Sequence, residues 1–131
     1  MSGMRINGVH HIAVIATDYD RSKAFYMDAL GFTLRGEVYR GDRDSWMGDL
    51  ELNGSYVLEL FSFPSPPTRR SGPEQVGLRH LAFEVDDVDA AVAELLAKDV
   101  VTEHVRIDPH TGKRFAFFFD PDGQPLELYE A

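Results

Sequence analysis

No cysteine occurs anywhere in the chain. That excludes disulfides, thiolate metal sites and cysteine nucleophiles, and it leaves nitrogen and oxygen donors for any metal. Basic residues are also scarce. Thirteen Lys and Arg stand against 22 Asp and Glu, a formal net charge of -9. Nucleic acid and anionic membrane both need a basic face, so neither is an expected partner. No apolar run approaches the ~20 residues that span a bilayer. The opening "MSGMRINGV" is too short and too polar for a signal peptide, which makes the cytoplasm the expected compartment. What remains is a length of 131 residues, enough for one domain with a sizeable core.

The chain repeats itself. "VHHIAVIATDYD" at 9–20 aligns with "LRHLAFEVDDVD" at 78–89, placing His11 on His80, Ala13 on Ala82, Asp18 on Asp87 and Asp20 on Asp89. Each half opens with an apolar alternation that predicts a strand. An acidic pair then predicts a helix start, with Asp20 and Asp89 as N-caps and Asp18 and Asp87 as caps or turn formers rather than ligands. Phe25, Ala29 and Leu30 in the first helix, and Val88, Val92 and Leu95 in the second, have the spacing of a buried stripe. Gly31 is the expected stop of the first helix. The halves also close alike, with "GSYVLELFSF" and "GQPLELYE". His11 to Glu59 is 48 positions and His80 to Glu127 is 47.

Two or three strands follow each helix, among them 44–52 and 56–63 in the first half and 102–107, 114–119 and 125–130 in the second. "DPDG" at 120–123 predicts a hairpin turn. "FPSPPTRRSGPEQ" holds four prolines and reads as a linker. Its Arg69 and Arg70 read as a solvated pair rather than a binding patch. The expected organisation is a single domain over 1–131, with modules at about 6–63 and 77–131 joined by the linker 63–76. The class is α+β: two βαβββ modules forming an open, curved mixed sheet.

Strand parity selects among the histidines. Neighbours on a strand face opposite ways, so His10 and His11 cannot both serve one site. Leu81, Phe83 and Val85 form the apolar face under a helix. His80, Ala82 and Glu84 therefore face the open side, and by the same parity so do His11, Ala13 and Ile15. Glu59 and Glu127 each sit between two leucines and leave the leucine face. A strand carboxylate between leucines is costly unless something pairs with it. Two imidazoles and two carboxylates suit a borderline divalent ion such as Zn, Ni, Co, Mn or Fe. His10 reads as a packed or surface histidine, and His104 and His110 have no repeat partner.

These residues carry a resemblance. "HIAVIATDYDRSKAFYMDALGF", "RHLAFEVDDVDAAV" and "DPDGQPLELYE" resemble the vicinal oxygen chelate superfamily, which includes glyoxalase I, fosfomycin-resistance proteins, bleomycin-binding proteins, methylmalonyl-CoA epimerases and extradiol dioxygenases. The nearest likeness is to small glyoxalase-I-like bacterial proteins. The resemblance implies paired βαβββ modules around a metal, with ligands at His11, Glu59, His80 and Glu127. It also implies a homodimer, sometimes with ligands from two chains. One departure stands out: bacterial glyoxalase I has an arginine four residues after its first ligand histidine, where it helps bind glutathione, and Ile15 occupies that position here.

The function expected is therefore a metal-dependent lyase or isomerase of glyoxalase I type. It would act on a small substrate with adjacent oxygens through a metal-bound enediolate, with Glu59 or Glu127 as base and the glutathione adduct disfavoured. Phe61 and Tyr129 share the face of the glutamates and are candidate pocket residues. Lys113 and Arg114 are candidates for an anionic substrate tail. The alternatives are a thiol transferase or dioxygenase of the same superfamily, which commonly use two His and one carboxylate, and a drug-sequestering binder of bleomycin type, which lacks the ligands.

Overall fold

Alternating apolar residues and the two acidic pairs set the order of elements. The computed structural model describes residues 3–131; Met1 and Ser2, the start of the stretch read above as too polar for a leader, lie outside the described residues. The chain divides into two units, Met1–Pro66 and Pro67–Ala131. The division falls inside the proline-rich segment, so Arg69 and Arg70 belong with the second unit.

In the first unit, β1 (Ile12–Ala16) leads into α1 (Tyr19–Ala24), then β2 (Thr33–Arg40), β3 (Ser45–Leu52) and β4 (Ser55–Ser62). The sheet order is β1-β4-β3-β2, with β1 parallel to β4 and the rest antiparallel. The second unit repeats this plan with β5 (Leu81–Val85), α2 (Val88–Ala97), β6 (Arg106–Ile107), β7 (Arg114–Phe119) and β8 (Pro125–Glu130). Its order is β5-β8-β7-β6, and β5 runs parallel to β8. The fold is α+β, with one four-stranded mixed sheet per module. The expected strand over 102–107 shortens to two residues, Thr102 contributing only an isolated bridge to Phe118.

The leucine faces form the core. Leu58 and Leu60 of β4, Leu126 and Leu128 of β8, and Ala116 and Phe118 of β7 are buried. α1 packs on β4, and α2 packs on β7 and β8, with Val88, Val92 and Leu95 turned inward as the stripe predicted. On the opposite face Ala13, Ile15, Ala82 and Glu84 are exposed.

Two expectations about the helices are corrected. The N-caps are Asp18 and Asp87, whose side chains accept from the N–H of Arg21 (3.1 Å) and Ala90 (3.0 Å). Asp20 and Asp89 sit in the first turns instead, where a carboxylate still meets the positive helix end. The first helix also widens into a π-helical turn over Phe25–Ala29. The buried position in that turn is Tyr26, on the helical face of Tyr19 and Ser22, and its ring meets Phe32 edge-on at 5.9 Å. The inward residues are Tyr19, Ser22 and Tyr26, and Phe25, Ala29 and Leu30 are only half-buried. Gly31 does end the helix, at φ 81°, with its N–H on the Met27 carbonyl. That left-handed backbone favours a residue without Cβ.

Candidate metal and substrate site

Register places each histidine beside its glutamate. In the first module Ala13 lies opposite Glu59 and Ile15 opposite Phe61, so His11, just ahead of β1, shares the open face with Glu59. Its Nε2 stands 3.5 Å from Glu59 Oε1. In the second module Ala82 lies opposite Glu127 and Glu84 opposite Tyr129. His80 Nε2 stands 3.2 Å from Glu127 Oε1. Each module thus aims one ring nitrogen and one carboxylate oxygen at each other on the face away from its helix. Among the described residues no three His, Asp or Glu side chains gather as a metal-binding group. Each pair supplies two donors.

The surroundings of the two pairs differ. Tyr56 donates its hydroxyl to Glu59 Oε2 at 3.0 Å and stacks on the His11 ring at 5.2 Å. A β-bulge brings it there. The β3–β4 register runs Leu50 to Leu58 and then Glu51 to Tyr56, so Val57 is the extra residue. Bulges bend a strand and re-aim its side chains. Burial first, then the bond to Glu59 and the charge of Asp49, holds the Tyr56 hydroxyl well above its usual pKa. Asp49 lies opposite Glu59 on β3, and its buried Oδ1 has no hydrogen-bond partner. In the second module the corresponding neighbours are Gln124, which donates to the Pro125 carbonyl, and Phe117, which lies opposite Glu127. Tyr56 was missed from sequence because alternation counts residues, whereas a bulge breaks the count.

Second neighbours orient the rings. His10, read from the sequence as a packed or surface histidine on the other face, has its Nδ1 2.8 Å from His11 Nδ1. The segment ahead of β1 is not in strand conformation, so parity does not hold there. In the second module Arg79 Nη1 lies 3.1 Å from His80 Nδ1. A guanidinium can only donate, so Nδ1 accepts and the ring proton sits on Nε2, toward Glu127.

The remaining candidates disperse. Phe61 is on the open face, stacked on Phe63 at 5.6 Å with the Arg40 guanidinium 5.0 Å above it. Tyr129 shares the face of Glu127 but is tied to the 108–113 loop by bonds to Asp108 (2.9 Å) and Thr111 (2.5 Å). Lys113 is held through its backbone N–H to Thr111 Oγ1. Arg114 pairs with Asp89 of α2 at 3.4 Å. In β7 it alternates with Phe115 and shares the side of Ala116 and Phe118, the buried helix side. That placement sets its guanidinium beside Asp89 of α2.

Known proteins share this arrangement of elements. The match to the glyoxalase/bleomycin resistance protein/dioxygenase superfamily spans residues 8–128. The chain is 70% identical over 122 residues to YaeR of Escherichia coli (strain K12), covering 93% of this chain and 95% of that protein. It is 60% identical to YwkD of Bacillus subtilis (strain 168), covering 97% and 99%. It is 32% identical to a 2-epi-5-epi-valiolone epimerase of Actinomyces sp, covering 98% and 83%. Among solved structures, the glyoxalase family protein from Enterococcus faecalis superposes with a TM-score of 0.89 at 42% identity, covering 97% and 100%. With the family match spanning nearly all of its length, the chain belongs to the glyoxalase/bleomycin resistance protein/dioxygenase superfamily.

Proposed function

We propose that the protein is a metal-dependent enzyme of glyoxalase I or isomerase type, which moves a proton on a carbon next to a carbonyl group of a small substrate. The observation carrying this reading is the duplicated His–Glu pair, Nε2 to Oε1 at 3.5 and 3.2 Å, on the open faces of both modules. The donor chemistry fits a borderline divalent ion. Two donors are too few to hold one firmly, so His11, Glu59, His80 and Glu127 would serve it together, in a single domain or across a homodimer. Such an ion would supply positive charge to substrate oxygens as the proton leaves. The superfamily holds lyases, epimerases and dioxygenases; four ligands disfavour the reactions that need a vacant carboxylate position, and a drug-sequestering role would leave the pairs without a purpose.

The chain's own residues divide the work. Glu59 is fixed on both oxygens, by Tyr56 and by His11. Glu127 pairs with His80 and has no hydrogen bond from a second side chain among the described residues, Arg79 acting on it only through its charge. Glu127 is thus the freer to detach and act as base, and Glu59 is the anchored ligand. His80 can offer Nε2 to an ion only with its proton on Nδ1, and Arg79 must then release that nitrogen. Arg79 already has a second anchor in Glu74, at 2.8 Å. Ile15 puts an apolar side chain where bacterial glyoxalase I has the arginine that helps bind glutathione. A cytoplasmic enzyme using a different thiol, or none, fits this face.

Metal content is measured first, in protein purified without chelator. Assays for lyase and epimerase activity follow, on hemithioacetals and 2-oxo or thioester substrates. Glu127→Gln is expected to keep measurable metal uptake and to lose turnover by about 10²–10⁴; Glu59→Gln is expected to lose the metal. Absence of metal uptake on titration with Zn, Ni, Co, Mn and Fe would remove the proposal. A kcat/KM above roughly 10⁶ M⁻¹s⁻¹ on the glutathione adduct would overturn the argument from Ile15.

A further inference from the structure

Arg69 and Arg70, which the sequence presents as a solvated pair, line a cavity of ≈ 440 Å³ in the second module. Arg79 and Arg106 join them there, with Glu74 and Glu103 as the acidic lining residues. The acids are already engaged. Glu74 Oε1 takes two bonds from Arg79, at 3.1 and 2.8 Å, and Glu103 takes one from Arg106 at 3.1 Å. Arg69 reaches only neutral acceptors, the Ser71 hydroxyl and the Arg79 carbonyl, both at 3.2 Å. Arg70 has no hydrogen bond or ion pair among the described residues. Two guanidiniums without counter-charge therefore border one cavity, in a chain whose net charge is -9.

Ser71 and Gln75 also line the cavity, and the rest of the wall is apolar. Phe117, Phe119 and Pro125 line it. Arg79 and Arg106 each lie over the Phe117 ring at 5.6 Å, which holds the ring in place as a flat wall. A cavity of this size suits a small molecule. Guanidinium groups recognise carboxylate and phosphate oxygens through paired N–H donors. We propose that this cavity binds a small molecule bearing a carboxylate or phosphate, with the anionic group on Arg69 and Arg70 and the carbon skeleton against Phe117, Phe119 and Pro125. Arg79 belongs to the cavity and also touches His80, so the anion is assigned as the charged end of the substrate. That last assignment rests on the proposed function; the anion site itself does not.

The test uses the full chain after chelator treatment, so that metal plays no part. Phenyl phosphate and benzoate are titrated by calorimetry at low salt, with benzyl alcohol as the neutral comparison. At least one anion is expected to bind saturably and the alcohol not to. Arg70→Gln should weaken the anion by roughly tenfold, the scale of one hydrogen bond to a charged group, and Arg69→Gln/Arg70→Gln further. Lys98→Gln, which removes the same charge at the end of α2, should leave affinity unchanged. Failure of both anions to saturate, equal affinity in the double variant, or equal binding of the alcohol would overturn the site. A second arm tests the assignment to substrate in metal-loaded protein. A hydroxamate with a carboxylate tail should outbind acetohydroxamate and lose that advantage in the double variant. Equal binding there would overturn the substrate assignment and leave the anion site standing.

Discussion

At the scale of single residues, the two His–Glu pairs are not equivalent, because different side chains stand behind them. His10 Nδ1 faces His11 Nδ1, and one of the two must carry the proton between them. If His11 is to present a bare Nε2, its proton is on Nδ1 and His10 accepts it. His11→Ala should then abolish firm metal uptake, while His10→Ala should weaken it by about tenfold, as loss of a ligand's outer hydrogen bond does. Titration of both variants with the same ion decides the point; equal affinity of His10→Ala and wild type would show that His10 is a bystander.

Among the elements, β3 and α1 depend on one close approach. A methyl group on Gly48 would overlap the Tyr19 hydroxyl, which donates to Glu37 Oε2 at 2.7 Å. The phenol would have to move and give up that bond. Gly48→Ala is expected to cost about 1–3 kcal/mol, the usual range for overpacking, and to cost less in a Tyr19→Phe background. Urea unfolding of the single and double variants measures both. A Gly48→Ala midpoint matching wild type would mean that the first module relaxes more freely than its packing indicates.

Two predictions belong to the whole molecule. The proposed site needs donors from both modules and a homodimer is the proposed assembly, so two chains are expected to complete each other's sites. A subunit carrying His11→Ala/Glu59→Gln, paired with one carrying His80→Ala/Glu127→Gln through separate tags, should bind about one ion per dimer if modules pair across a twofold interface. Each variant alone should bind none. No uptake by the mixed dimer would place each site within a chain. The second prediction concerns alkaline stability. Burial, and then the bond to a neighbouring glutamate, hold both Tyr19 and Tyr56 above their usual pKa in the folded chain. Unfolded tyrosines release their protons near pH 10. Above about that pH the folded chain binds more protons than the unfolded one, so stability falls as pH rises. Tyr19→Phe/Tyr56→Phe should flatten that decline between about pH 9 and 11 in urea midpoints, and an unchanged slope would refute it.

The sequence by itself determined the strand–helix–meander plan, its duplication, the leucine core and the pairing of His11 with Glu59 and His80 with Glu127. All of these follow from periodicity, which depends only on how a regular strand or helix presents successive side chains. Departures from regular geometry were decided by the tertiary structure. Asp18 and Asp87 cap the helices, while Asp20 and Asp89 fall in the first turns. Tyr26 rather than Phe25 is the buried ring of the first helix, on the face of Tyr19 and Ser22, and Tyr56 reached Glu59 through a bulge. Arg69 and Arg70 became the wall of a cavity because the linker packs within the second module. A local pattern records what a residue does in an ideal element; an inserted residue, or a loop folded against a sheet, depends on partners distant in sequence.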